Sequence, residues 1–470
     1  MDENTPTSQG IHHVSRRRFV SGVGQAALIA TASLATRESR ASSDNPSPAT
    51  TPPTFDVVVA GGGTAGAIAA IQASRLGSKT LLVEAGGQLG GTTTTAGVSF
   101  PGLFHAWGKQ VIAGIGWELV HQCVQLDSGI LPDFSTIPRA HWMHQIKLNG
   151  PLYAALLEEA FLQAGGIVAF HEIPNAVKIL PNGYKLSLVG KDAERTVHCK
   201  QLIDCTGDAN LVGKLGFQRL REETTQPGTM MFEFGDYDPR NLDANLIEQH
   251  YRAALAEKRL LPGDVSKPNA RFIEFLRSRG SNNQHLLGVD GSSSSGKTQA
   301  NLAGRQSVLR LLRFIRSLPG CENTRLLRMQ TEAGIRETFR IVGETIISEM
   351  DYRSGRVFED AVCHSFYPID IHDEHGVTPE PLAQGTVPTI PLKALIPKGS
   401  RHLLAAGRCI SSDRAANSAL RVQASCMAMG QAAGAAAALA AKSSTTPDQV
   451  SIAQLRAVLK DHGAIVPQPI

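Results

Sequence analysis

The chain has 470 residues, of which 42 % are hydrophobic and 19 % are charged. It is therefore long enough for several domains and apolar enough to bury a core, which excludes a wholly disordered chain, a collagen-like repeat and a disulfide-rich miniature scaffold. The formal net charge is only +4, so nothing in the charge balance indicates a nucleic-acid partner.

The N-terminus predicts an export signal. Residues 15–20, S-R-R-R-F-V, fit the twin-arginine pattern and precede a short, weakly apolar stretch that is too polar to span a membrane. A small-x-small cleavage site follows at residues 39–41. We predict a twin-arginine signal peptide at 1–41, a flexible leader at 42–54, and a periplasmic or secreted protein without stable membrane insertion. A basic N-terminus that matches the pattern by chance is the alternative.

The segment after the leader predicts a dinucleotide-binding site. A run of strand formers at 55–60 leads into residues 61–66, G-G-G-T-A-G, which have the spacing G-x-G-x-x-G and precede a helix of small residues. Gly61 permits the tight turn, Gly63 lets a pyrophosphate reach the backbone, and Gly66 lets helix and strand pack closely. A second strand ends at Glu84, where an acid binds ribose hydroxyls. A glycine-rich turn of another α/β protein is the alternative.

Three later segments resemble those of flavoproteins, and this resemblance favours FAD over NAD. A second glycine-rich loop follows Glu84 at once, and a predicted hairpin around residues 181–183 comes before a strand that ends in a small-residue turn at 205–207. A further strand ends at 407–408, and an alanine-rich helix is predicted from about 422 to 441. The amides at the start of this helix are suited to stabilise negative charge on a reduced flavin. The predicted cofactor-binding residues are Gly61, Gly63, Thr64, Ala65, Gly66, Glu84, Gly90, Gly91, Thr92, Val177, Gly207, Gly407, Arg408, Arg421 and Val422.

Four further segments carry a family resemblance. They are residues 334–344 (GIRETFRIVGE), 367–373 (YPIDIHD), 390–397 (IPLKALIP) and 407–434, which begins GRCIS and ends GQAAG. With the nucleotide motif, they resemble the FAD-dependent oxidoreductases related to the flavin subunit of heterodisulfide reductase. Relatives carry Ser-Arg where Thr338-Phe339 stand here, and often a His near the position of Asn417.

The resemblance implies an α/β fold with a glutathione-reductase-like, Rossmann-like FAD/NAD(P)-binding domain. This domain has a ββα-type parallel sheet with a β-meander and spans residues 55–218 and 395–445. An inserted α+β substrate or cap domain at 219–394 and a C-terminal tail at 446–470 complete the predicted organisation.

Two other sequence features are predicted to carry no chemistry of their own. The seven cysteines include no C-x-x-C pair, so we predict buried thiols, no metal site and no iron–sulfur cluster. Residues 291–298, GSSSSGKT, match the P-loop pattern. However, only a short apolar stretch precedes them and no clear strand with a magnesium-binding Asp follows, so we interpret them as a flexible loop.

The catalytic candidates lie in the inserted region and near the last motif. Asp370 and His372 on an extended segment point to one face, and His372 is suited to accept a hydroxyl proton while a hydride leaves for flavin N5. Arg336 and Arg340 are predicted on one face of a helix, where they either hold an anionic or polar substrate or join the helix to the cap by salt bridges. Asn417 is predicted near the substrate. The catalytic candidates are therefore His372, Arg336 and Asn417.

We predict an exported oxidoreductase with non-covalently bound FAD. The expected reaction is hydride transfer between a small alcohol- or sugar-like substrate and flavin N5, with an electron acceptor that the sequence does not identify. Reduction of an activated double bond is the opposite direction and stays open. A non-catalytic flavin-binding partner protein and a P-loop nucleotidase are the alternative functions.

Overall fold

The structure is a computed structural model that describes residues 52–192, 194–267 and 269–468. The predicted signal peptide and nearly all of the predicted leader lie outside the described residues.

Eighteen strands and eleven helices are present in the described residues. The strands are β1 (Thr54–Ala60), β2 (Thr80–Glu84), β3 (His105–Ala106), β4 (Lys109–Gln110), β5 (Ile167–Phe170), β6 (Ile173–Leu180), β7 (Gly183–Val189), β8 (Glu194–Asp204), β9 (Arg219–Leu220), β10 (Phe232–Gly235), β11 (Gly280–Ser281), β12 (Arg325–Met329), β13 (Arg340–Ile341), β14 (Ala361–His364), β15 (His372–Asp373), β16 (Gly376–Val377), β17 (Thr389–Pro391) and β18 (Leu403–Ala405). The helices are α1 (Thr64–Arg75), α2 (Ile115–Leu126), α3 (Gly150–Gln163), α4 (Asn210–Lys214), α5 (Ala244–Ala256), α6 (Phe272–Ser278), α7 (Ser294–Arg316), α8 (Glu349–Ser354), α9 (Arg414–Leu420), α10 (Gln423–Lys442) and α11 (Ile452–Asp461). Short 3₁₀ helices lie at His141–His144, Pro239–Asn241, Leu392–Leu395 and Pro447–Gln449.

A seven-stranded sheet forms the centre of the fold, with the order β5-β2-β1-β8-β7-β6 and with β18 also paired to β8. The strands β5, β2, β1, β8 and β18 are parallel, whereas β6, β7 and β8 are antiparallel neighbours. Strand β8 accommodates both because residues 194–199 pair with β7 and residues 202–204 pair with β18. The predicted parallel sheet and β-meander are confirmed.

Helices α1 and α10 pack closely in the core beside this sheet. A Cβ atom on Gly430 would overlap the carbonyl oxygen of Ala65, and one on Gly434 would overlap that of Ala69. These glycines therefore let the two helix backbones approach each other. Helix α10 is the one described helix that is long and apolar enough to cross a membrane, and 94 % of its apolar window is buried inside the structure. It starts one residue after the predicted position.

The two parts of the predicted inserted region, residues 219–394, pack into different apolar cores. Strands β10, β11 and β12 form a small antiparallel sheet, and with α5, α6 and α7 they enclose an apolar cluster that runs from Met230 to Ile335. In contrast, buried side chains from Ile347 to Ile396 belong to the core around α1 and α10. Only the first part of residues 219–394 therefore has a core of its own, and the described residues form one compact unit. The predicted C-terminal tail contains α11, whose Leu455 and Leu459 are buried.

Arg336 and Arg340 do not lie on a helix, so the predicted helix at this position is wrong. Arg340 lies in β13, which pairs with β9, while Gly334 exchanges both backbone hydrogen bonds with Thr229. Backbone groups that bond across the chain in this way are not available to a helix. The β-branched residues of this segment also favour an extended backbone.

Candidate active site

The first glycine motif forms a turn that leaves open space in front of α1. Gly61 has a positive φ of 96°, and a Cβ atom there would overlap the carbonyl oxygen of Cys205. A Cβ atom on Gly66 would overlap the carbonyl oxygen of Gly61. Gly63 differs, because its Cβ would meet no atom within 4 Å. Since α1 begins at the next residue without a side-chain cap, its first amides face this space, as an anion-binding helix terminus requires.

The acid at the end of β2 holds the turn together. One carboxylate oxygen of Glu84 accepts a hydrogen bond from the amide of Gly62 at 2.6 Å, and the other accepts from the amide of Gly86 at 2.6 Å. Glu84 therefore lies beside the glycine turn, where the motif requires an acid for the ribose hydroxyls.

The second glycine loop connects the first motif to α10. The amide of Gly90 donates to the carbonyl oxygen of Gly62 at 2.8 Å. The hydroxyl of Thr93 lies 3.2 Å from that of Thr64 and donates to Oε1 of Gln423 at 2.6 Å. The nucleotide turn, the loop that contains Gly90, Gly91 and Thr92, and the start of α10 after Val422 thus meet at one place.

The remaining predicted cofactor residues lie around the nucleotide turn and make different contacts. Arg408 donates to Gly207 O at 3.0 Å, to Ile335 O at 2.7 Å and to the Asp208 carboxylate at 2.6 Å. Three of its five N–H donors thus join three segments of the chain. Gly407 lies against α1, since its Cβ would be 3.3 Å from Cβ of Ala65. Val177 lies partly buried on β6 in the meander. For all these residues cofactor contact stays a prediction.

A cavity of about 220 Å³ joins the two groups of predicted residues. Thr92, Arg421 and Val422, predicted to bind the cofactor, line it together with Arg336 and His372, predicted to act on the substrate. Asn417 does not line it. Its side chain is buried and donates to Arg408 O at 3.1 Å and to Ser412 Oγ at 3.2 Å. Asn417 therefore supports the segment behind the cavity, and a catalytic role for it is not favoured by its position.

Asp370 and His372 point to one face as predicted, and they continue into a second histidine. Nε2 of His372 lies 3.1 Å from Oδ2 of Asp370, and Nδ1 of His372 lies 2.9 Å from Nε2 of His285. Nδ1 of His285 lies 3.0 Å from the carbonyl oxygen of Asp373. Both nitrogens of His372 are thus occupied by these two partners. These three side chains form the Asp370–His372–His285 chain. Oδ1 of Asp370 accepts no hydrogen bond from the described residues, so it is the atom of the Asp370–His372–His285 chain that is free to contact a substrate.

The groups at the two ends of the Asp370–His372–His285 chain determine how many protons this chain needs to complete its hydrogen bonds. The Asp370 carboxylate and the Asp373 carbonyl only accept, so each ring must donate outward to its end group. A neutral imidazole has one N–H. Two neutral rings that donate outward therefore face each other with bare nitrogens at 2.9 Å. All three contacts become hydrogen bonds only after the chain takes up one proton.

The surroundings of His372 and His285 lower the pKa values of both side chains, so the additional proton is absent at neutral pH. Burial and then the charge of Arg336 lower the pKa of His372 to about 4, although Asp370 acts in the opposite direction. Burial, Arg336 and His372 lower the pKa of His285 to about 3. Burial alone would raise the pKa of Asp370, but the hydrogen bond to His372 and the two nearby guanidinium groups lower it. The Asp370–His372–His285 chain is therefore deprotonated at rest and gains a hydrogen bond when it accepts a proton.

The P-loop interpretation is not supported by the structure. Residues 291–293 form a turn, and Ser293 caps α7 by accepting from the amide of Gly296 at 3.0 Å. Within the described residues no strand leads into this turn, as a P-loop requires. Lys297 pairs instead with Glu332 at 2.8 Å.

The described residues contain neither a disulfide nor a group of side chains that could hold a metal ion. All seven cysteines are buried and free, as predicted. No group of three His, Cys, Asp or Glu side chains in the described part of the chain is arranged to hold a metal ion.

Some site residues had no sequence signal. His285 is 87 positions from His372 and lies in a loop before α7 without a recognisable motif. Gln145 reaches the cavity from a different segment and donates to the hydroxyl of Tyr367 at 2.9 Å. Only the folded chain brings these residues together.

Comparisons with solved structures find many distant likenesses. One is the anhydrotetracycline hydroxylase OxyS from Streptomyces rimosus, 16 % identical over 41 % of each chain with a TM-score of 0.30. A geranylgeranyl bacteriochlorophyll reductase-like protein from Thermoplasma acidophilum is 14 % identical over 87 % of this chain and 84 % of that chain, with a TM-score of 0.41. The p-nitrophenol 4-monooxygenase PnpA from Pseudomonas putida is 11 % identical over 87 % and 84 %, with a TM-score of 0.36. At these values the likenesses carry no information about this chain's reaction.

No curated protein matches the chain. A family model described as FAD dependent oxidoreductase matches residues 56–459, which includes the glycine turn, Glu84, the cavity and α10. The open space at Gly63 and the surrounding backbone donors fit this cofactor. The chain therefore belongs to the FAD-dependent oxidoreductases, with FAD as its cofactor.

Proposed function

We propose that this oxidoreductase oxidises a small, hydroxyl-bearing organic substrate, an alcohol or sugar-like compound, by hydride transfer. The observation that carries the proposal is a proton-accepting chain, Asp370–His372–His285, in the same cavity as Thr92 and Val422. FAD, when bound beside Thr92 and Val422, would supply the redox chemistry, that of a hydride acceptor for an alcohol that becomes a carbonyl compound.

The protein's own part is to remove the hydroxyl proton. Oδ1 of Asp370 is the free atom of the chain, and His372 holds the carboxylate through Oδ2 at 3.1 Å. The proton that leaves the substrate oxygen passes to Oδ1, while the N–H of His372 stays on Oδ2 and keeps the carboxylate oriented. In this proposal His372 acts behind Asp370, whereas the sequence predicted His372 as the first acceptor.

The test is anaerobic reduction of the FAD-loaded protein by a panel of small alcohols and sugars. One equivalent of an accepted substrate should bleach the visible flavin absorbance in a single turnover. Asp370→Asn should slow this bleaching by about 10²- to 10⁴-fold, the usual contribution of a positioned base. Asp373→Asn is the matched control, since its exposed side chain lies on the same segment and only its backbone holds His285.

Wild-type bleaching rates in Asp370→Asn would remove Asp370 from the mechanism. A yellow protein that no substrate reduces would support the alternative of a non-catalytic flavin-binding partner. Flavin that stays with the protein after acid precipitation would contradict the predicted non-covalent attachment.

We also propose that the protein is exported by the twin-arginine route and is related to the flavin subunit of heterodisulfide reductase, without an iron–sulfur cluster. The support for export is the motif at residues 15–20 with its cleavage site. Exchange of Arg16 and Arg17 for Lys should retain the protein inside the producing cell, and unchanged export would contradict the assignment.

A further inference from the structure

Two guanidinium groups line the cavity, and the first has only neutral partners. Arg336 is 7 % exposed. It donates to the carbonyl oxygen of Pro227 at 2.7 Å and to Oδ1 of Asn282 at 3.3 Å. Within the described residues no carboxylate lies within 4.0 Å of it. Arg336 therefore brings a buried positive charge that the protein solvates with dipoles but does not neutralise.

The second guanidinium group is also incompletely paired. Nη2 of Arg421 donates to Oε1 of Gln226 at 3.3 Å and to the carbonyl oxygen of Asp370 at 3.2 Å. The Asp370 carboxylate comes only to 3.8 Å, beyond hydrogen-bond distance. Nε of Arg421 is buried without a hydrogen-bond partner among the described residues. Such an unsatisfied donor is rare in a native interior, so the hydrogen bonding of Arg421 is incomplete.

The charges around the cavity do not cancel. Arg336 and Arg421 contribute two positive charges, Asp370 contributes one negative charge, and His372 is neutral near pH 7 because burial and Arg336 lower its pKa to about 4. The other lining residues carry no formal charge. One positive charge is therefore left without a counterion.

Two other arginines in the described part of the chain, the buried Arg340 and the partly buried Arg408, are paired with acids. Arg340 contacts Glu337 at 3.3 Å and also pairs with Glu222, while Arg408 contacts Asp208 at 2.6 Å. The deficit of one negative charge therefore belongs to the cavity and is not a general property of this fold. A buried charge is costly unless it is paired, so a ligand that brings the missing charge has a strong advantage.

We propose that the substrate carries one carboxylate, which Arg336 and Arg421 bind while Asp370 faces its hydroxyl group. The substrate class is then a small hydroxy acid or a sugar acid. A guanidinium group matches the planar, two-oxygen geometry of a carboxylate better than any other side chain does. This inference rests on the proposed function for the role of Asp370, but the binding of the carboxylate can be measured without turnover.

The test uses pairs of compounds that differ mainly in the carboxylate. FAD-loaded protein is titrated with glycolate against ethylene glycol, with lactate against propane-1,2-diol, and with glucuronate against glucose; formate and acetate serve as minimal anions. Binding is followed by calorimetry and by the visible flavin spectrum. We expect each carboxylate to bind at least ~10-fold more tightly than its neutral partner.

Variants connect this preference to the two arginines. Arg336→Gln should weaken carboxylate binding by at least ~10-fold and leave the binding of neutral partners unchanged, while Arg336→Lys should retain part of the preference. Arg353→Gln, on an exposed helix away from the cavity, is the control for an unspecific loss of charge. The FAD content of each variant shows whether it has folded.

The outcomes separate this inference from the proposed function. Equal binding of both members of every pair, or no binding of any carboxylate, overturns the inference. Bleaching by neutral alcohols without a carboxylate preference overturns it as well, but leaves the proposed oxidation intact. Carboxylate binding that depends on Arg336 without any bleaching supports the inference and sinks the oxidation. If Arg336→Gln lowers only the flavin reduction potential, the arginines serve the reduced flavin and the inference is wrong.

Discussion

An alanine at position 63 would place one methyl group in the open space in front of α1. The backbone at Gly63 has φ −66° and ψ −168°, an extended conformation that alanine adopts without strain. No atom lies within 4 Å of the new Cβ. For the protein without cofactor, the substitution therefore changes mainly the unfolded chain, and we expect a gain of about 0.4–1 kcal/mol in the free energy of unfolding.

For the protein with cofactor the sign reverses. The middle glycine of this motif is where the backbone approaches the pyrophosphate, so the methyl group occupies space that the ligand needs. We expect FAD affinity to fall at least ~10-fold, which corresponds to about 1.4 kcal/mol. The stabilisation that FAD gives to the folded state falls by the same amount at saturating FAD.

The assay compares urea unfolding of the FAD-free protein with a fluorescence titration of FAD. Gly66→Ala is the matched control, because its Cβ would overlap the carbonyl oxygen of Gly61 and lie 2.9 Å from Cβ of Cys205. Overpacking of this kind costs about 1–3 kcal/mol even without cofactor. Wild-type FAD affinity in Gly63→Ala would refute the assignment of the space beside Gly63 to the cofactor, and a destabilised FAD-free variant would refute the openness of that space.

Two further predictions concern pH and helix packing. The pKa values of His105, His285 and His372 are lowered to about 4, about 3 and about 4 from 6.5, so between pH 6.5 and about 4 the unfolded state binds protons that the folded state does not. Stability should therefore fall with falling pH, by as much as about 4 kcal/mol per pH unit for three histidines; urea unfolding at pH 7, 6 and 5 measures this, and a flat profile would contradict it. Gly430→Ala should cost about 1–3 kcal/mol and weaken FAD binding, because its Cβ would overlap the carbonyl oxygen of Ala65 in the nucleotide turn; unchanged stability in urea would show that α1 and α10 can move apart freely.

The nucleotide half of the fold was predictable because its signals are local. A buried strand, glycines at fixed spacing, a small-residue helix and an acid follow one another within β1, α1 and β2. The hairpin at residues 181–183 and helix α10 are equally local, since turn chemistry and an alanine-rich composition specify them.

The substrate side was only partly predictable, because tertiary contacts decide it. The alternation in residues 370–372 correctly placed Asp370 beside His372. The spacing of Arg336 and Arg340 predicted a helix, but Arg340 pairs with β9 and the nearby Gly334 pairs with Thr229. Asn417 lies in α9 and Arg421 directly follows this helix, yet only Arg421 reaches the cavity. No local pattern indicated His285.

The hydrogen bond between Thr93 and Gln423 joins residues 330 positions apart. The two sides of the FAD-binding site are therefore synthesised at very different times. The turn around Gly63 is made early by the ribosome, but the helix that closes it from the other side is made almost last. The nascent chain therefore lacks one side of the FAD-binding site for nearly its whole synthesis. It can bind FAD firmly only after α10 has been made. Truncation just before α10 would leave residues 1–422 in place and should still yield a colourless product.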